Sequence, residues 1–83
     1  MSQANRVRWH SRRGMLELDV LLLPFAEEAF DGLNAEDQAL YVRLLECEDP
    51  DLFAWFMDHQ EPADAEFKRM IGMVLAHGKS RKK

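Results

Sequence analysis

The sequence contains a single cysteine, Cys47, so an internal disulfide is excluded. That usage fits a reducing compartment rather than a stapled secreted scaffold. Cys47 has no CxxC companion, and the histidines His10, His59 and His77 stand far apart, so no zinc-ligand spacing is present. Glu46 and Glu48 flank the thiol, and neighbouring carboxylates raise a thiol pKa, away from a reactive thiolate. The glycines, Gly14, Gly32, Gly72 and Gly78, are isolated, which excludes a glycine-rich phosphate loop. The longest apolar stretch, Val20 to Ala26, is interrupted by Pro24, whereas a membrane span needs about 20 apolar residues. Residues Met1 to Arg13 carry Arg6, Arg8, Arg12 and Arg13, with no apolar run ending in a small-residue cleavage site, so no signal peptide is expected. These absences predict a cytoplasmic protein without membrane insertion, without a metal site and without catalytic chemistry of its own.

What is present suffices for one small folded domain. The chain has 83 residues, 47% of them hydrophobic, with five Phe, two Trp and five Met. A disordered chain is poorer in aromatics than this. The net charge of −4 hides an asymmetry: every acidic residue lies between Glu17 and Glu66, where Arg43 is the only basic one. An acidic middle repels phosphate, so no nucleic-acid binding is expected.

Hydrophobic spacing and boundary residues predict helices throughout. The first runs from about Asn5 to Arg13, with Gly14 as its stop. The second runs from about Met15 to Phe30, where Leu18, Leu22, Phe25 and Ala29 share one face. Pro24 lies inside it and predicts a kink or two shorter helices. Asn34 is the expected N-cap of the third helix, which buries Leu40, Tyr41, Leu44 and Leu45. Asp49-Pro50 reads as an N-cap followed by a first-turn proline, opening a fourth helix to about His59 that buries Leu52, Phe53 and Phe56. Pro62 opens the last connection, Phe67, Met70, Ile71, Val74 and Leu75 line the fifth helix, and Gly78 ends it. The expectation is an all-α, compact five-helix bundle over residues 1–78, followed by a disordered basic tail over residues 79–83.

One corner stands apart from this framework, Arg12-Arg13-Gly14-Met15-Leu16-Glu17. Glycine there is an ordinary helix C-cap on physical grounds. Its neighbours also suit docking: Arg13 offers a fork of donors, Glu17 an acceptor, and Gly14 a bare backbone that lets another surface approach. Arg13 and Glu17 at this spacing also have the alternative of pairing with each other.

The segment Arg12 to Asp19 resembles the RGxxE region of the SdhE family, also described as YgfY or CptB proteins. Leu44 to Trp55, LLECEDPDLFAW, is similar to that family's second signature, and Pro62-Ala63-Asp64 agrees with its approach to the final helix. The resemblance covers about Arg6 to Leu75 in the right order. It implies a monomeric five-helix assembly factor, chaperone-like rather than enzymatic. Such a factor binds the flavoprotein subunit of succinate dehydrogenase, fumarate reductase or both, and promotes covalent FAD attachment. It carries over Arg13, Gly14, Glu17 and Trp9 as partner-binding residues. FAD then belongs to the client, with no cofactor bound stably by this chain. The alternative function is an antitoxin-like regulatory protein of a toxin–antitoxin pair.

Overall fold

The computed structural model describes residue 7 and residues 9–81, the side chains of residues 80 and 81 excepted. The expected helix start at Asn5, together with Arg6 and Arg8, lies outside the described residues, as do Lys82 and Lys83. All regular structure among the described residues is helical. Helical residues 7 and 9–11 form the described part of α1. The chain continues as α2 (Leu16–Glu28), a 3₁₀ turn (Phe30–Gly32), α3 (Ala35–Leu45), α4 (Asp49–Phe56) and α5 (Ala65–Arg81). The last helix packs against α2, α3 and α4.

The core follows the hydrophobic stripes. Leu18, Leu22 and Phe25 of α2, Leu40, Tyr41, Leu44 and Leu45 of α3, Leu52 and Phe56 of α4, and Met70, Ile71 and Val74 of α5 are all buried. Ala29, Phe67 and Leu75 pack at the edge of this core, half-buried, whereas Phe53, expected to be buried, is only half-buried and faces His59 with ring centroids 5.9 Å apart. Asn34 caps α3 as expected: the Asp37 amide donates to its Oδ1 at 2.8 Å. Asp64 plays the same part for α5, accepting from the Glu66 amide at 2.8 Å.

Four boundaries differ from expectation, each for a local reason. Helix α2 passes through Pro24 as one run instead of breaking into two, and ends at Glu28, with Phe30 in the separate 3₁₀ turn. Pro24 leaves the Val20 carbonyl without an amide partner. Val20 is 56% exposed, so water can take up that carbonyl. Asp49 is the first residue of α4 rather than its N-cap, a position held by Glu48 without a side-chain hydrogen bond. The Asp49 carboxylate is engaged elsewhere, by Arg13.

Helix α4 stops at Phe56, short of His59, because Asp58 takes a left-handed conformation with φ 62°. The His59 amide donates to the Ala54 carbonyl at 2.8 Å and the Asp58 amide to Trp55 at 3.3 Å. This bond pattern closes a helix C-terminus around a left-handed residue. Gly78, in turn, does not end α5, which runs on to Arg81. A Cβ at position 78 would stand 3.3 Å from Leu21 Cδ2. Gly78 thus serves the close approach of α5 to α2, and the helix continues through it.

A polar knot inside the core ties α1 to α2 and α3. Ser11 is fully buried, and its hydroxyl donates to the Val7 carbonyl at 2.8 Å. The Tyr41 hydroxyl lies 2.8 Å from Ser11 Oγ and 3.3 Å from the Leu22 carbonyl. The Tyr41 ring packs against Phe25 and Phe30, with centroids 5.1 and 5.7 Å apart. Burial pushes the Tyr41 hydroxyl up to about 12, against smaller opposing effects of the Ser11 hydrogen bond and the Arg13 charge.

A pH dependence follows. The folded chain holds Tyr41 neutral, so this contribution is intact below the unfolded-state pKa of about 10. It is lost as pH rises from there through about 12. The loss amounts to about 2–3 kcal/mol, and Tyr41→Phe should remove that slope. Tyr41 is the only tyrosine in the chain, so tyrosinate absorbance reports it alone. Titration of the folded protein near the unfolded-state value would show the hydroxyl to be solvated instead.

Candidate functional site

The sequence-predicted residues Trp9, Arg13, Gly14 and Glu17 fall on the end of α1, the turn after it and the first turn of α2. Gly14 sits at the apex of that turn with φ 79°, in the left-handed region that glycine enters without strain. A Cβ built there meets nothing within 4 Å. The glycine is therefore required by the backbone conformation and not by crowding within the chain. Trp9 lies just before this apex and is 75% exposed. Glu17, in the first turn of α2, is exposed.

Two further residues belong to the same corner. Leu16 is 74% exposed and Val20 56% exposed. They stand one turn apart on α2, on the side opposite Leu18 and Leu22. Sequence reasoning passed over them, although the signal was present: both are large apolar residues out of register with the buried stripe. With Trp9 they are the exposed large hydrophobics of the described chain. A carboxylate, a glycine backbone and three large apolar side chains are thus exposed within residues 9–20.

Arg13 is placed differently from Gly14 and Glu17. Its side chain is 17% exposed and is turned inward, across to the α3–α4 connection. Nε donates to Asp49 Oδ1 at 2.8 Å, one terminal nitrogen to the carbonyls of Leu45 at 2.7 Å and His10 at 3.1 Å, and the other to the Cys47 carbonyl at 3.0 Å. The Arg13 backbone amide donates to Asp19 Oδ1 at 2.7 Å. The local Arg13–Glu17 pair does not form; Arg13 reaches Asp49, thirty-six residues away, instead.

Cys47 is half-buried beside this arginine. Its thiol is pushed up chiefly by burial, and further by Asp51 and Glu46, against the opposing charges of Arg13 and Arg43. The direction agrees with the sequence reading, though burial outweighs the adjacent carboxylates. A thiol held protonated is a poor nucleophile. Among the described residues no cluster of His, Cys, Asp and Glu is arranged to hold a metal ion. No helix among them is long and apolar enough to cross a membrane.

Comparison with known proteins matches the sequence to a described family. A family model described as flavinator of succinate dehydrogenase (Sdh5) covers residues 5–78. A Pseudomonas aeruginosa protein named FAD assembly factor SdhE is 60% identical over 74 residues, 89% of this chain and 88% of its own length. The protein of the same name from Shewanella oneidensis is 58% identical over 69 residues, 83% of this chain and 84% of its own. That from Pectobacterium atrosepticum is 49% identical over 77 residues, 93% of this chain and 88% of its own. The matched span takes in both the Gly14 corner and the α3–α4 connection to which Arg13 ties it, and the chain belongs to the family of succinate dehydrogenase flavinators.

Proposed function

We infer that this chain is an FAD assembly factor acting on succinate dehydrogenase. The observation that carries the reading is the family match over residues 5–78, which includes the exposed Gly14–Glu17 corner. The partner is the flavoprotein subunit, of succinate dehydrogenase and of fumarate reductase where a cell has both. The chain acts as a monomer and presents Trp9, Gly14 and Glu17, with Leu16 and Val20, to that partner. Arg13 lies behind this surface, with its guanidinium turned to the α3–α4 connection.

The factor works without catalytic groups of its own. Covalent flavin attachment joins the flavin to a side chain of the client, so a helper need only favour the client conformation in which those two meet. It does so by binding that conformation more tightly than the others, which is a population shift. FAD stays with the client throughout. The absence of a glycine-rich phosphate loop from the sequence supports this assignment.

Gly14→Arg provides the experiment. The side chain at position 14 would meet nothing within 4 Å in the free chain. The folded protein should therefore lose only about 1–2 kcal/mol, the cost of a left-handed conformation for a residue with a Cβ. The same side chain would stand where the client must approach. The expected outcome is a folded variant that supports no flavin attachment to the client. Full attachment by this variant would remove the Gly14 corner from the contact.

A further inference from the structure

We propose that Arg13 is a positioning residue: it serves client binding by stapling the docking corner to the α3–α4 connection, not by touching the client. The proposal rests on the functional reading above and deepens it.

The geometry carries the inference. One guanidinium group spans four acceptors: Asp49 Oδ1, and the carbonyls of Leu45, Cys47 and His10. The Leu45 and Cys47 carbonyls belong to the end of α3 and the connection after it, where a helix leaves carbonyls without amide partners. Asp49 opens α4, so the same group joins the end of one helix to the start of the next. The backbone amide of Arg13 is held as well, by Asp19 of α2. Gly14 and Glu17 lie between these two anchors in sequence. The corner is thus fixed on one side by α2 and on the other by the α3–α4 connection. A planar fork suits this task, since a lysine ammonium offers its donors from one point and cannot span acceptors on separate segments.

The staple also explains the distance between the two sequence signatures. Arg13 belongs to the first and Asp49 to the second, and their side chains meet at 2.8 Å. On this account the second signature serves the first by holding its arginine.

The test compares Arg13→Lys, Arg13→Ala, Asp49→Ala and Glu17→Ala by two readouts. The first is amide hydrogen exchange of the free chain at Glu46 and Cys47. The second is the concentration of helper needed for half-maximal flavin attachment to the client flavoprotein subunit. The proposal expects Arg13→Lys to behave like Arg13→Ala: exchange at Glu46 and Cys47 speeds up, and roughly tenfold more helper is needed, as when one strong hydrogen bond is lost. Asp49→Ala, which leaves Arg13 in place, should shift both readouts in the same direction. If Arg13→Lys retained wild-type attachment, or if the Arg13 variants weakened attachment with exchange at Glu46 and Cys47 unchanged, Arg13 would be a contact residue and the proposal would be overturned. Should Arg13→Ala not fold, Asp49→Ala and Arg13→Lys decide the question by the same criteria. Failure of the functional reading is distinct: wild-type protein would then give no attachment at any concentration, and Glu17→Ala would not differ from it.

Discussion

Glu17→Ala is expected to weaken client binding by about 2–5 kcal/mol, the range for truncating one partner of a charge pair that becomes desolvated in a complex. The free protein should barely respond. Glu17 is exposed and has the favourable setting of the first turn of α2. That setting contributes about 0.3–1 kcal/mol. The asymmetry between a large binding loss and a small stability loss marks a residue kept for a partner. Titrating the client flavoprotein with wild type and variant, beside thermal melts of both, measures the two losses together. Equal affinity for wild type and variant would place the contact elsewhere on the surface.

Phe56→Ala should have the opposite profile. Phe56 is 4% exposed, in the last turn of α4, which packs against α2 and α5. Truncating a buried phenylalanine costs about 3–5 kcal/mol, through lost burial and the cavity left behind. A domain of this size has a total stability on the order of 5–10 kcal/mol, so the variant should melt far below wild type. Client binding should fall only in proportion to the unfolded fraction, because Phe56 lies in the core and not at the corner. Denaturant unfolding of the two proteins checks this. A melting temperature within a degree or two of wild type would contradict the packing of α4.

How far the sequence reveals this molecule depends on the range of the interaction. The buried stripe of α3 and the Asn34 cap depend on residues a few positions apart, and both are as their spacing predicts. Helix ends are less legible where a distant residue intervenes. Asp49 has the chemistry of an N-cap, yet its carboxylate is taken by Arg13 from thirty-six positions away. Gly78 resembles a stop signal until α2 is placed beside it, with Leu21 against the glycine. The left-handed Asp58 ends α4 early, although nothing in its type demands that conformation.

The candidate site shows the same division. Trp9, Gly14 and Glu17 are each exposed, on the end of α1, the turn after it and the first turn of α2. The inward turn of Arg13 depends on a partner in another helix, so spacing alone leaves its direction open. The Ser11–Tyr41 knot was equally hidden, since it joins two hydroxyls thirty residues apart. Leu16 and Val20 are legible from spacing: they fall on the outer face of α2, opposite the stripe that Leu18 and Leu22 define.

The central claim is that this chain promotes covalent attachment of FAD to its client. The most direct measurement compares flavin fluorescence of the client flavoprotein subunit on a denaturing gel, with FAD supplied, in the presence and absence of this protein. The account predicts a strong covalent flavin band that depends on the added chain and disappears with Gly14→Arg. A band of equal intensity without the chain would contradict it.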